Sequence, residues 1–542
     1  MVSPHKKLLQ HANKRVSLGG AAALLVGATL FGQVLGFLRL KLINANFDEF
    51  GPQSTDAFFA AFKLPDFFFY TIAAGALGVA FIPVLSDHLH NRDRKGAWEL
   101  AVSLLNLLAI FMALVGIIIM VFAEPLVHVV APGLKSQEQI NTAATIMRLI
   151  AFNPLLFTLS GILTAIQQTV GRFFFFAIAP FFYNGAIIVA ALVFSTVDNH
   201  HGGPGGLGLV GLGIGAFIGA ILQLLVVLFG MYGTDFNWRP KIMRTNDFRL
   251  VLKRLPARSI DQGIDSINSI AETNFASKLP TGSITYYENA YTLHTVPIQL
   301  VGTTIATAAF PRLTQRLSSG RTDLFRKDFL IILRAMIWIM MPIVVISYFA
   351  RGYLSRLIFA QGLSAIALIF GYLVGAIFFR TIYAIISRWF YAQKDTKTPL
   401  FVSLFVIALN IVLAYRLSQP EAYGIAGLAM AQSIVAATEV VILVAVMLTR
   451  DHKLFNGEFW HGILRILSVT GFSILAAFIM ISLLPLNAND RGIVTLGSKL
   501  GAIAVVTFGV HLIISLIFDL REAKPVIDRI KKFVLKPIRL QL

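Results

Sequence analysis

About fourteen apolar stretches, each long enough to cross a bilayer as a helix, follow one another from Val16 to Leu520. They leave no room for a soluble domain. We place them at about 16–43, 56–85, 98–123, 139–168, 172–197, 206–232, 248–279, 285–316, 326–350, 362–393, 396–418, 422–449, 460–485 and 494–520, each near the roughly 20 residues needed to span about 30 Å of hydrocarbon. The expectation is an all-α, polytopic integral membrane protein. With 56% hydrophobic and 13% charged residues, a water-soluble chain of 542 residues would lack polar surface.

The N-terminus is basic (Lys6, Lys7, Lys14, Arg15), and the apolar run that follows is too long for a signal h-region and shows no A-x-A-like cleavage site. It reads as a retained signal-anchor helix. Zero cysteines exclude a disulfide framework, thiol catalysis and Cys-ligated metal.

A net charge of +19 raises the question of nucleic acid, and its distribution answers it. With the N-terminus in the cytoplasm, the even-numbered connections carry Arg92, Arg94 and Lys95, then Arg239, Lys241, Arg244, Arg249, Lys253 and Arg254, then Arg312, Arg316, Arg321, Arg326 and Lys327. The first odd-numbered connection holds Asp48 and Glu49, and no Lys or Arg lies between Thr196 and Gly208. This positive-inside asymmetry supports an even helix count with both termini cytoplasmic. After Asp519, lysines alternate with Val526, Ile527, Ile530, Phe533 and Val534, the pattern of an interfacial helix on anionic lipid.

A weak internal repeat divides the chain. Ala80-Phe81-Ile82-Pro83 near the end of the second span matches Ala309-Phe310-Pro311 in the eighth. The junction Gln168-Thr169-Val170-Gly171-Arg172 precedes Asn184 by much the same distance as Gln393-Lys394-Asp395-Thr396-Lys397 precedes Asn410. Two six-helix lobes in parallel repeat, with two extra C-terminal helices, follow from this spacing. The expected organisation is a basic N-terminus (1–15), an N-lobe (16–232), a cytoplasmic linker (233–247), a C-lobe (248–449), the last two spans (450–520) and a basic tail (521–542).

Ionisable groups inside spans are costly unless paired or hydrated, so they mark candidate sites. In the seventh span Asp261, Asp265, Asn268 and Glu272 fall at i, i+4, i+7 and i+11 and share one face. One reading is a site for a coupling Na+ or H+, since clustered carboxylates attract cations and raise one another's pKa. The other is a structural network neutralised by Arg258, Arg380 or Arg388. The second span carries Asp56, Lys63 and Asp66 on one broad face, with Pro65 as a kink point. Lys63 lies about 10 Å into the span from Asp56, which implies an internal partner or an anionic ligand. Lys63 and Asp66, one turn apart, can also neutralise each other. Arg39, near the outer end of the first span, is a further cavity candidate or a snorkelling arginine.

No GxxxxGK[ST], HExxH or GxSxG pattern occurs, and the histidines lie mostly in loops without metal-ligand company. Neither an enzyme nor a resident cofactor or metal is expected. Transport driven by an ion gradient or the membrane potential needs no ATPase subunit and is the simpler energy source.

Asp56-Ala57-Phe58-Phe59-Ala60-Ala61-Phe62-Lys63-Leu64-Pro65-Asp66, followed by Gly75-Ala76 and Ala80-Phe81-Ile82-Pro83-Val84-Leu85, resembles the second-helix signature of the MurJ (MviN) lipid II flippases. Val34-Leu35-Gly36-Phe37-Leu38-Arg39, Ala131-Pro132-Gly133-Leu134 and Arg388-Trp389-Phe390-Tyr391-Ala392-Gln393-Lys394-Asp395-Thr396-Lys397-Thr398-Pro399 extend the likeness over nearly the whole chain. The resemblance implies the fourteen-helix fold of the MOP exporter superfamily, a cationic central cavity between two lobes and a hydrophobic groove by the last two helices. It also implies a bacterial inner-membrane protein that moves the undecaprenyl-diphosphate-linked peptidoglycan precursor to the outer leaflet, beside cell-wall synthesis enzymes.

This chain departs from the family's arginine set at Gln33, Phe69 and Thr292, keeps Arg39, and has Ala74 where an acidic residue is expected. Arg39, Lys63, Asp66, Arg380 and Arg388 are then the candidates for holding the diphosphate, with Arg39 and Lys63 expected to line the cavity. Asn410 matches a polar position that the family is proposed to use near a bound cation. Three alternatives stay open: a flippase for another lipid-linked glycan, an ion-coupled antiporter exporting an amphipathic cation, and a non-transporting scaffold for cell-wall synthesis.

Overall fold

Among the described residues of the computed structural model, twelve helices are long and apolar enough to cross a membrane. The structure describes residues 18–48, 50–51, 53–74, 81–196, 202–359, 362–490, 492–526 and 528, leaving out the side chains of 18–19, 21–23, 73–74, 254–262, 264 and 493. No strand occurs among the described residues. The basic N-terminus and most of the tail read as an interfacial helix lie outside them.

The second and seventh expected spans are helical as well. The second begins as Thr55–Phe68, continues as a π-helix over Phe69–Ala74 and resumes as Ile82–His90, with 75–80 outside the description. The seventh is Asn246–Ser277, 32 residues or about 48 Å long, but it is rich in charged and polar groups.

The fourth and eighth expected spans are present, at Gln137–Thr169 and Ser283–Ser318, and each has an internal irregularity. The fourth span is two helices, Gln137–Ile150 and Asn153–Thr169, because Pro154 cannot donate to the preceding turn and so opens a new helix. The eighth is Ser283–Pro297, a π-helix over Ile298–Thr303, then Thr304–Ser318. A π segment thus precedes both Phe81 and Phe310 of the repeated motif. The third and ninth spans (Arg94–Val121, Thr322–Phe349) are likewise each followed by a short helix, Ala123–Val130 and Arg351–Ile358.

The chain forms two compact units, Met1–Thr285 with Ile358–Gln361, and Tyr286–Leu357 with Gly362–Leu542. The boundary falls after the seventh span, whereas the sequence reading sets it at the 233–247 linker. The seventh helix packs on the second span, its π segment and the helix Ala123–Val130, all of the first unit. Gly133 explains part of that attachment. A Cβ there would lie 2.2 Å from the Ser277 carbonyl oxygen, and the Gly133 N–H donates to Ser277 Oγ at 3.1 Å. Asn274 Nδ2 donates to the Val129 carbonyl at 2.8 Å.

The first unit's core joins Leu100, Leu104 and Leu108 to Ile162, Ile166, Val227 and Val251. Burial of oil against oil gives little in a bilayer, so close approach carries association. Gly211, Gly215 and Gly219, spaced by four on the sixth span (Leu209–Gly230), let Phe194, Ala190 and Tyr183 of the fifth-span region reach its backbone. The second unit's core centres on Phe329, Leu333, Met336, Ile385, Trp389, Leu443 and Met447. There the last two spans (Gly457–Leu483, Ile493–Ile517) are pinned by a buried polar network. His511 Nε2 lies 3.1 Å from the Trp338 carbonyl and Nδ1 2.9 Å from Ser473 Oγ, while Trp338 Nε1 donates to Ser515 Oγ at 2.9 Å.

The matching junctions at Gly171-Arg172 and Lys394-Asp395 are tied down by opposite chemistry. In the first unit Gly171 takes a positive φ of 80°, and Arg172 donates to the Tyr232 and Gly233 carbonyls at 2.7 and 2.8 Å. In the second, Lys394 takes φ 62°, and Asp395 accepts from the N–H groups of Lys397 and Thr398 and from Arg450 at 2.7 Å. Burial opposes ionisation of Asp395, yet the Thr398 and Arg450 donors outweigh it and hold its carboxyl at about 2.

Candidate membrane-embedded charge sites

Helical spacing puts Lys63, Phe67 and Tyr70 on one face of the second span, with Asp66 beside them. Asp265, Ser266 and Ser269 of the seventh helix meet that face, and together these seven residues line a cavity of about 260 Å³. The approach is close because position 263 is glycine: a Cβ there would stand 2.9 Å from Thr71 Cγ2 in the π segment. Lys63 Nζ donates to Ser269 Oγ at 2.9 Å. Arg39 is half-buried and shares electrostatic reach of Tyr70 and Tyr183 with Asp66. Four sequence candidates, Arg39, Lys63, Asp66 and Asp265, thus belong to one neighbourhood of the first unit.

The acidic stripe does not act as one surface. Asp265 is exposed at the cavity. One turn on, Asn268 and Glu272 are buried, and Asn268 Nδ2 donates to Glu272 Oε1 at 3.0 Å. The Asp261 side chain lies outside the described residues.

Asp56, in the first turn of the second span, is buried and has a different task from Lys63 and Asp66. Its Oδ2 accepts from the Gly282 N–H at 2.7 Å, and its Oδ1 accepts from the Thr285 N–H and hydroxyl at 2.8 and 2.7 Å. It therefore caps the N-terminus of helix Ser283–Pro297, where a carboxylate is favoured by the exposed N–H groups and the helix dipole.

In the second unit Arg380 has a carboxylate partner that the sequence reading did not name. Nη1 lies 3.1 Å from Glu439 Oε2 and Nη2 3.5 Å from Gln432 Oε1. Ser403 Oγ donates to Glu439 Oε1 at 2.8 Å. Glu439 is the lone acidic residue of the twelfth span, Ile425–Arg450. The rule that flagged the seventh span, an ionisable residue within an apolar run, applies equally to it. Arg388 sits apart from this group, its guanidinium 5.8 Å from the Phe310 ring and 5.5 Å from that of Tyr391. Asn410 is buried in the eleventh span, Lys397–Leu417.

At the positions where the resemblance implies arginine, this chain carries other chemistry. Phe69 stacks edge-on with Tyr70 and Phe157, and Phe157 with Tyr183, making an aromatic wall. Thr292 Oγ1 donates to the Glu288 carbonyl at 2.9 Å, and Gln33 is half-buried.

Comparisons with known proteins give one answer. The family described as "Lipid II flippase MurJ" matches residues 50–494. A probable lipid II flippase MurJ of Buchnera aphidicola subsp. Acyrthosiphon pisum is 27% identical over 391 residues, 70% of this chain and 75% of that protein. The fold of the solved structure titled "Lipid II flippase MurJ, inward closed conformation" is similar with a TM-score of 0.75 at 21% identity, over 92% of this chain and 98% of that one. An inward-facing multidrug resistance MATE family transporter of the MOP superfamily is similar with a TM-score of 0.62 at 15% identity, over 80% and 95%.

Proposed function

We propose that this chain, which belongs to the MurJ lipid II flippase family, moves the polyprenyl-diphosphate-linked peptidoglycan precursor lipid II from the cytoplasmic to the outer leaflet of a bacterial inner membrane by alternating access. Both termini face the cytoplasm in this reading. The observation that carries it is the small polar cavity at Lys63, with Arg39 in the same neighbourhood. A diphosphate crossing hydrocarbon must exchange its hydration for fixed cations, and a lysine and an arginine held inside the bilayer supply them. Asp66 and Asp265 hold the lysine's charge in place when the headgroup is absent. In the second unit, Arg380 and Arg388 are further cationic candidates for the diphosphate.

For coupling we assign Asp265, with Asn268, Glu272, Asn410 and Asp261 as further candidates, to a Na+ or H+ whose gradient, or the membrane potential, drives the cycle. Cell-wall synthesis enzymes are the expected neighbours that consume the product.

One observation favours a second reading. The cavity carries two carboxylates, Asp66 and Asp265, for one lysine, a balance that suits ion-coupled export of an amphipathic cation. Complementation separates the two. A flippase-depleted bacterium rescued by the wild-type chain, and not by Lys63→Gln expressed to the same level, supports lipid II transport. Failure of the wild type, together with resistance to cationic amphiphiles on its expression, supports the antiporter.

A further inference from the structure

We propose that Glu439 is a positioning residue that sets the guanidinium of Arg380 for a phosphate-bearing headgroup, an inference that rests on the lipid-transport reading above. Arg380 lies 12 residues before the end of the helix Leu363–Ala392, about 18 Å at 1.5 Å per residue. At that depth an ionic side chain facing hydrocarbon is costly, so the exposed part of one belongs against a water-filled path. The pair is one-sided. The Arg380 side chain is 25% exposed, and that of Glu439 is 2% exposed. An ion pair serving the packing alone has no reason to leave its cation at the surface.

The carboxylate behind the guanidinium is fixed by three helices. Glu439 comes from the twelfth span, Arg380 from the tenth, and Ser403 of the eleventh donates to Glu439 Oε1 at 2.8 Å. Tyr383 Oη, one turn from Arg380, lies 3.4 Å from Ser403 Oγ. Gln432, two turns before Glu439, takes Nη2 at 3.5 Å. Two nitrogens of the planar fork are therefore engaged from one side, which sets the plane in which the group meets a ligand. Planar, oriented donors are what distinguish arginine from lysine in recognising phosphate oxygens. The ligand class is a lipid-linked diphosphate, and its two phosphates gain from an oriented fork where a single phosphate gains less.

The test uses the full chain in vesicles and a leaflet-resolved flipping assay with a polyprenyl-diphosphate saccharide. Glu439→Gln keeps the size of the side chain and removes its charge. We expect its apparent KM to rise roughly ten-fold, with the maximal rate changed less than about two-fold. Excess polyprenyl monophosphate, a poor competitor for the wild type, becomes comparable to the diphosphate. A KM and competition profile equal to wild type overturns the proposal. If Glu439→Gln does not fold, the double variant Arg380→Met/Glu439→Met decides, because a purely structural pair is commonly replaceable by apolar side chains. A folded double variant with raised KM supports the positioning role, and one that flips like wild type overturns it. A wild-type chain that moves no diphosphate lipid removes the transport reading itself.

Discussion

Replacing Asp56 with alanine removes the acceptor for three donors at once, the Gly282 N–H, the Thr285 N–H and the Thr285 hydroxyl, in a site only 4% exposed. Loss of a helix cap costs about 0.5–2 kcal/mol, and each buried donor left without an acceptor about 1–3 kcal/mol. The Thr285 hydroxyl can turn to Thr55 Oγ1, 2.9 Å away, and water can enter the space of the lost carboxyl. A net cost of about 3–5 kcal/mol follows, with Asp56→Asn near half of it because one acceptor oxygen remains. Thermal unfolding of the purified chain reads the magnitude. A single Cys at Ser283, in a chain that has no cysteine of its own, reads the location through labelling by a membrane-impermeant maleimide. Labelling should rise in Asp56→Ala as the capped end frays. Unchanged unfolding and unchanged labelling together would refute the capping role.

Three further outcomes follow from other parts of the molecule. Asp265→Asn, at an exposed cavity position, should leave unfolding near wild type and abolish gradient dependence of flipping, measured with and without an imposed ion gradient; wild-type gradient dependence would remove Asp265 from coupling. Gly215→Leu should cost about 1–3 kcal/mol or more, because even its Cβ would sit 2.4 Å from Ala190 Cβ, and intact stability would show that the fifth and sixth spans do not rely on this contact. Asp395 is held at about 2 against an ordinary 3.8, so its contribution is complete above about pH 4 and lost as the pH falls toward 2. Arg450→Met should flatten that acid limb of the stability curve, and an unaltered limb would count against the Asp395–Arg450 tie.

The helical spans were legible in the sequence because a bilayer demands long apolar runs, whatever the tertiary packing. The likeness of Ala80-Phe81 to Ala309-Phe310 was legible in the sequence, and each motif follows a π segment. The π segments before them were not legible, because neither Phe69–Ala74 nor Ile298–Thr303 contains a proline or a charged residue. Lys63 and Asp66 stood out as charges in an apolar span, and the cavity contains both. The seventh-span stripe was visible as periodicity, yet periodicity is blind to what covers each turn. The Ala131–Gly133 turn and the helix before it hold the end that follows Glu272, while Asp265 stays open beside Lys63. Glu439 is as legible as Asp265 as a charge in an apolar span, but it stands alone there and forms no periodic pattern. Its significance comes from Arg380 and Ser403, which are distant in sequence.

In the proposed function the cavity at Lys63 grips the diphosphate of a lipid during its passage between leaflets. Leaflet-resolved flipping of a polyprenyl-diphosphate saccharide in vesicles, wild type beside Lys63→Gln with both proteins shown to be folded, tests it most directly. Transport by the wild type and a loss of about ten-fold or more in Lys63→Gln are expected, because a charge-assisted contact is removed. Equal transport by the two proteins would contradict it.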